Sequence, residues 1–179
     1  MYLTELTKDN IESVYRFRNE KTFIENCTSR KKVSFIEFNE ELKNDFSKDR
    51  LLQFVIFNSK GESVGSIYSY SYNPFDKYAF VTVYITKSKK KFSYGIKAFV
   101  VMADFLFKKF KLYKIYFDVY EYNSEMLSVL KKCNFSLEGK FIRQKLKNRG
   151  RYHVYRFAFY KKDLDIWTKK LRVSSFDIV

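Results

Sequence analysis

Apolar positions along the chain change period several times, and each change marks an element. Residues 2–6 have the composition of a short strand. Ile11, Val14, Tyr15 and Arg18 then recur at helical spacing and predict a helix over 8–19, capped by Thr7. A second helix is expected from Ser34, because Ser34 and Glu37 have capping-box spacing and Phe35, Phe38, Leu42 and Phe46 follow on one face. The pattern then becomes strand-like. Residues 51–58 are apolar and end in the turn signal Asn58-Ser59-Lys60-Gly61. Residues 63–72 set Val64, Ser66, Tyr68 and Tyr70 against Gly65, Ile67, Ser69 and Ser71. With 78–86 these stretches predict an antiparallel meander.

The helical period returns after residue 95, with Ile96, Phe99, Val100, Ala103, Phe107 and Phe110 on one side. A strand over 114–121 follows, then a short helix to about residue 132 capped by Asn123. Two long strands over about 135–146 and 151–160 are joined by the turn Asn148-Arg149-Gly150, and 163–171 forms a terminal helix. The last eight residues are expected to be loose. Pro74 is the single proline, and no linker, repeat or low-complexity segment interrupts the chain. Helices interspersed with a mixed strand order indicate an α/β (α+β) class. The expectation is one domain over 1–179, with a mostly antiparallel central sheet of about seven strands flanked by about four helices.

The most informative stretch is 81–110, VTVYITKSKKKFSYGIKAFVVMADFLFKKF. A β-branched, aromatic strand enters a lysine-rich turn that ends in Ser93-Tyr94-Gly95, and a helix begins at once. This order brings free backbone N–H groups, the positive end of a helix dipole and cationic side chains to one point, which suits a phosphate.

Composition narrows the chemistry further. Hydrophobic residues make up 46% of the 179 and aromatics 20%, enough for a substantial core. No apolar run approaches the roughly 20 residues of a membrane span. MYLTELTKDN lacks the layout of a signal peptide, so a soluble, cytoplasmic protein is expected. Cys27 and Cys133 share no motif spacing and read as two semi-buried thiols, and with His153 the sole histidine a multi-histidine metal site is excluded. The net charge of +15 fits an anionic partner, and equally fits a Lys-rich compositional bias spread along the chain.

The order strand, basic turn, helix, strand, Asn-capped helix, strand, strand resembles the GNAT superfamily of acetyl-CoA-dependent N-acetyltransferases. The family turn Gln/Arg-x-x-Gly-x-Gly/Ala corresponds to Lys90-Lys91-Phe92-Ser93-Tyr94-Gly95, with Ala98 just inside the helix. Downstream, residues 123–135 (NSEMLSVLKKCNF) and then Glu138-Gly139 resemble the family's N-x-x-(S/A)-x-x-(V/I)-(Y/L)-x-(K/R)-x-G-F and E-G pattern, in the RimJ/RimL style. Phe17-Arg18-Asn19 is similar to the Trp-Arg-Asn signature of aminosugar N-acetyltransferases. Lys91 and Ser93 stand where the turn often has glycine, Asn134 replaces a glycine, and Leu130 stands where many relatives have a tyrosine.

The resemblance implies acetyl-CoA as co-substrate, in a cleft where the strand ending at Thr86 diverges from the one starting near Lys114. Backbone groups of Tyr84 and Ile85 would hold the pantetheine. Lys90, Lys91, Phe92, Ser93, Tyr94, Gly95 and Ile96 would hold the pyrophosphate, with charge added by Lys89, and Asn123 would contact the cofactor. A neutral amine would attack the thioester directly, with Glu121 as base and Tyr84 and Tyr122 as candidates for thiolate protonation or substrate contact. No metal is implied. His153, in a strand, reads as structural.

The expected acceptor is a small-molecule or peptide amine, namely an aminosugar nucleotide or a protein N-terminus. Net positive charge disfavours a polyamine unless acidic side chains cluster locally. The alternatives are a basic nucleic-acid-binding module, with Tyr113-Lys114-Ile115-Tyr116 stacking bases, and a CoA-binding relative without transferase activity. The expected assembly is a monomer or homodimer.

Overall fold

The computed structural model describes all residues except 28–30, 90, 91, 134, 174–177 and 179, and it places the backbone but not the side chain of Phe92. Seven strands form one sheet: β1 (Tyr2–Glu5), β2 (Arg50–Phe57), β3 (Ser63–Asn73), β4 (Tyr78–Ile85), β5 (Lys114–Tyr120), β6 (Ser136–Lys147) and β7 (Gly150–Tyr160). Their order across the sheet is β1-β2-β3-β4-β5-β7-β6, and every neighbouring pair is antiparallel except β4 and β5.

Six α-helices accompany them among the described residues: α1 (Ile11–Arg18), α2 (Lys21–Asn26), α3 (Phe35–Lys48), α4 (Phe92–Lys109), α5 (Ser124–Lys132) and α6 (Leu164–Leu171). That is two more than the expected four or so. α6 belongs to the terminal helix already expected, whereas six-residue α2 is too short for its periodicity to stand out from the preceding segment.

The two faces of the sheet are covered differently. α4 crosses over between the parallel strands β4 and β5, and its Phe99, Ala103, Leu106 and Phe107 enter a core with Ile115, Phe117, Phe157 and Phe159. Ring pairs such as Phe99–Phe117 (4.7 Å) and Phe99–Phe159 (5.0 Å) meet edge to face. Each ring so buried contributes roughly 1.5–3 kcal/mol. α6 packs on α4. On the other face, α1 and α3 bury Val14, Phe38 and Leu42 against Val55, while Phe17 of α1 and Phe23 of α2 close over Tyr68 and Tyr84. This second layer is thinner and leaves space above the sheet.

Several boundaries differ from expectation. Asn10, not Thr7, precedes α1. The Asn10 amide accepts the Thr7 N–H and donates to the Glu5 carbonyl, so it closes a turn before the helix can start. Ser34 does form the capping box with Glu37, but Phe35 and Phe46 are 42% and 41% exposed, so only Phe38 and Leu42 of that face are buried. The turn between β6 and β7 holds Asn148 and Arg149 at φ 47° and 64°, the conformation of a tight primed hairpin turn. Of the last eight residues, Arg172, Val173 and Ile178 are described, and Ile178 bridges Leu3; the rest of that expectation lies outside the described residues.

Candidate active site

β4 and β5 pair only through Tyr78–Lys114, Ala79–Ile115 and Phe80–Tyr116. Beyond that point β4 stays bonded to β3 as far as Ile85, and β5 stays bonded to β7 as far as Tyr120. The two strands therefore splay, and the facing edges keep backbone groups that no neighbouring strand takes up. The Tyr84 carbonyl is turned toward Gly65 of β3, where a Cβ would collide with it, so only glycine fits at position 65.

α4 starts just past the end of β4, after a 3-10 turn over Lys87–Lys89. Its first-turn N–H groups have no partner within the helix. Ser93 is exposed, Tyr94 and Gly95 are half-buried, and Ile96 is buried. Among the described residues a Cβ on Gly95 would meet nothing nearer than Ile85 Cγ1 at 3.7 Å, so their packing does not demand a glycine there. A helix N-terminus beside a splayed strand pair suits a pyrophosphate and an extended pantetheine arm. Lys90 and Lys91 lie outside the described residues. Lys89 is turned away, its Nζ 3.0 Å from a Glu62 carboxylate oxygen. Asn123 caps α5 by accepting the Met126 N–H at 3.3 Å.

On the α1–α3 face lies a cavity of about 710 Å3. Its floor is Tyr68 and Tyr70 of β3, Thr82 of β4, and Asp118 and Tyr120 of β5; α1, α2 and α3 roof it, and Gln144, Lys145 and Val154 of the β6–β7 hairpin close one side. Thr82 and Tyr120 come from the two strands that have just parted, so the cavity adjoins the splay. Glu41, Asp45, Asp49 and Asp118 line it together with Arg18, Lys48, Arg50 and Lys145, so its described lining does not share the chain's positive excess. Asp118 is held by Arg156 through both oxygens at 2.8 Å, across the β5–β7 register pair. Cys27 also lines the cavity; burial pushes its thiol up to about 12, and neither cysteine is paired.

The structure places the three expected catalytic side chains as follows. Tyr84 is buried, its ring between Phe17 and Phe23, and its hydroxyl lies 2.6 Å from Thr22 Oγ1 and donates to Glu20 Oε2 at 2.7 Å. Glu20 Oε1 accepts from Thr86 Oγ1 at 2.6 Å, so this one carboxylate ties the start of α2 to the end of β4. Burial, then Glu20, push the Tyr84 phenol up against an opposing hydrogen bond from Thr22. Tyr122 donates to the Glu25 carbonyl at 2.8 Å, and burial raises its phenol too. Glu121 follows β5; its Oε2 accepts the His153 N–H at 2.9 Å, and it is not part of the cavity lining. His153 is structural in its contacts, with Nδ1 accepting the Arg143 N–H at 2.9 Å.

Tyr120, Asp118 and Glu20 carried no signal in the sequence. Tyr120 is one of fifteen tyrosines, and Asp118 is legible only once its register partner Arg156 is known. Leu130, where the resemblance implies a tyrosine in many relatives, is 2% exposed and belongs to the core.

Residues 1–136 match the family model of the acetyltransferase (GNAT) domain, and the chain belongs to that family. It is an acetyl-CoA-dependent N-acetyltransferase. No curated protein matches the chain. Among solved structures it is similar to spermidine N-acetyltransferase from Vibrio cholerae in complex with CoA and spermine, at 19% identity and TM-score 0.78, over 90% of this chain and 96% of that one. A chimera of the V. cholerae enzyme SpeG with hSSAT gives 17% identity and TM-score 0.78, over 93% and 99%. A dodecameric form of the V. cholerae enzyme in an intermediate state gives 18% and 0.73, over 90% and 94%. At these identities the likeness shows the shared fold. No helix of the described residues is long and apolar enough to cross a membrane.

Proposed function

We propose that the protein acetylates a small primary amine held in the cavity on the α1–α3 face, in a ternary complex with acetyl-CoA lying in the β4–β5 splay. The observation that carries this reading is the meeting of the two spaces: Thr82 and Tyr120 of the cavity floor stand on the strands that part beyond Phe80 and Tyr116. Acetyl-CoA supplies the activated acetyl group as a thioester. The chain's part is to hold amine and thioester in contact, where proximity supplies much of the rate.

The N-terminus of α4 with Lys90 and Lys91, the edge of β4 at Ile85, and Asn123 form the cofactor side; the Tyr84 backbone, expected there too, is turned to β3 instead. Glu121, beyond the cavity lining, takes up the amine proton through water; Asp118 on the cavity floor has both oxygens engaged by Arg156. To Tyr84 and Tyr122 we add Tyr120 as a proton donor. It lines the cavity, burial raises its phenol so the proton is retained at neutral pH, and its hydroxyl has no hydrogen-bond partner among the described residues.

The finer reading is an aminosugar nucleotide or a protein N-terminus as acceptor, in a RimJ/RimL-like branch, with the protein cytoplasmic and monomeric or homodimeric. A second reading is a polyamine. Four carboxylates line the cavity, which removes the objection drawn from net charge alone, and the similar structures are spermidine N-acetyltransferases. The test is release of free thiol from acetyl-CoA with aminosugars, N-terminal peptides and spermidine offered in parallel, alongside thermal stabilisation by CoA. Stabilisation with release for one class identifies the acceptor. Salt-sensitive oligonucleotide binding with no CoA effect would overturn the reading, and CoA binding without release to any amine would leave a non-catalytic relative.

A further inference from the structure

We infer that Glu20 is a positioning residue for acetyl transfer: its carboxylate sets the α2 roof of the acceptor cavity against the end of the strand that leads into the cofactor turn. The inference rests on the proposed reading of the cavity and of the β4–β5 splay. Glu20 stands at one corner of the fold. Its N–H donates to the Phe17 carbonyl at 3.0 Å and its carbonyl accepts the Ile24 N–H at 3.0 Å, so α1 closes and α2 opens around this residue. α2 then brings Phe23, Asn26 and, just past its end, Cys27 to the cavity. Thr86 stands at a second corner. Its N–H donates to the Val64 carbonyl of β3 at 2.9 Å, and its carbonyl accepts the Lys89 N–H at 3.1 Å in the turn that leads to α4.

Glu20 occupies the N-cap position of α2, where Ser, Thr, Asp or Asn is usual, and its side chain makes no capping bond. The carboxylate crosses to β4 instead, 64 and 66 residues away in sequence, and accepts the Tyr84 hydroxyl at 2.7 Å and the Thr86 hydroxyl at 2.6 Å. Tyr84 and Thr86 are only 5% and 7% exposed, so water is a poor substitute for this partner. Because the Tyr84 proton goes to Glu20, Tyr84 accepts in its 2.6 Å contact with Thr22 Oγ1, which adds a second bond from the same helix. Short bonds from hydroxyls to a carboxylate are roughly twice as strong as neutral ones and are directional. Phe17 and Phe23 also hold the roof against Tyr84, but apolar contact is non-directional: it resists separation and tolerates sliding. The hydroxyl bonds fix where along β4 the helix sits. That placement decides how an amine under α2 meets a thioester beside β4, and a displacement of about 1 Å costs on the order of 100-fold in rate.

The test measures kcat, KM for the amine, CoA affinity and Tm in Glu20→Ala, Glu20→Gln, Thr86→Val and Thr86→Ser, with thiol release from acetyl-CoA followed for glucosamine, a tripeptide with a free N-terminus, and spermidine. Glu20→Ala removes both bonds and is expected to lower kcat about tenfold or more, with CoA affinity and amine KM within about threefold of wild type. Glu20→Gln keeps an oxygen for Tyr84 and an NH2 donor for Thr86 Oγ1, so its kcat is expected within about threefold of wild type and its pH profile unchanged. Thr86→Val removes one hydroxyl at nearly constant shape and falls between, and Thr86→Ser restores the rate. A lower Tm with unchanged kcat in Glu20→Ala would make Glu20 a structural tie and overturn the inference. Equal losses in Glu20→Gln and Glu20→Ala would overturn it too, by assigning the effect to charge rather than placement. If Glu20→Ala does not fold, Thr86→Val decides, and a wild-type rate there would overturn the inference. Wild type that releases thiol with none of the three amines would defeat the catalytic reading, and this inference with it.

Discussion

Position 65 shows how one residue can set the geometry of a site without touching it. β3 passes so close to the Tyr84 carbonyl that a Cβ there has no room, and the obstacle is backbone, which cannot swing aside. Gly65→Ala should therefore destabilise by about 2 kcal/mol or more, lowering Tm by roughly 5 °C, as overpacking against main chain does. Thermal unfolding followed by circular dichroism reads this directly, and an unshifted Tm would mean β4 can move away from β3 at little cost. Glu121 poses the opposite case, a residue whose place is ordinary and whose proposed role is chemical. Glu121→Gln keeps an oxygen for the His153 N–H and removes the negative charge. The expected result is kcat lowered about tenfold or more with CoA affinity within about twofold of wild type. Equal turnover would move the base to another group.

At the scale of elements, the strand–turn–helix unit of β4 and α4 was legible because three signals coincided: a β-branched run, a lysine-rich turn and an apolar stripe at helical spacing. The cavity was not, because it is made by elements distant in sequence. Arg18 of α1 meets Glu41 of α3, and Asp118 of β5 meets Arg156 of β7; nothing local in either segment announces the other. α2 escaped for a simpler reason, since six residues hold less than two turns of pattern. Gly95 lets the needs of the helix be tested apart from those of the proposed ligand. Glycine weakens a helix relative to alanine, and here a methyl would meet only Ile85 Cγ1 at 3.7 Å. Gly95→Ala should thus leave stability unchanged or raised, by up to about 1 kcal/mol, while weakening CoA binding severalfold in a calorimetric titration. Unaltered CoA affinity would place the pyrophosphate away from this turn.

The β5–β7–β6 edge is knotted by Glu138, which accepts from Lys114 Nζ at 2.8 Å, from Tyr116 at 2.9 Å and from Tyr160. Burial works against its charge, but the bonds from Lys114, Tyr160 and Tyr116 outweigh burial together, and the carboxyl lies below the usual range. A carboxyl depressed by folding contributes stability that is complete above its unfolded pKa, about 4.3, and is lost as pH falls through the folded value. The Tm of wild type should accordingly exceed that of Glu138→Gln at pH 6, and the gap should close in acid below about pH 4. A gap that stayed constant to pH 3 would assign the effect to shape rather than charge.

For the whole molecule, the question is whether a net charge of +15 reaches the site. Thirty-five cationic side chains against twenty anionic ones repel one another across the surface, and salt shortens that reach from about 10 Å at 0.1 M to about 3 Å at 1 M. Raising NaCl from 50 to 500 mM should therefore raise Tm by a few degrees. The cavity should feel much less of this, because its four carboxylates stand among four cationic groups in its described lining and three of them, Glu41, Asp45 and Asp118, are bonded to arginines at 2.8–3.2 Å. Short pairs in a partly closed space are screened less than exposed charges and cancel each other's field beyond a few ångströms. Over the same salt range kcat/KM for a cationic amine should change by less than about twofold, measured by thiol release. A rise of tenfold would show that repulsion from the outer surface governs entry, and that the local balance of charge in the cavity does not shield the acceptor from the rest of the protein.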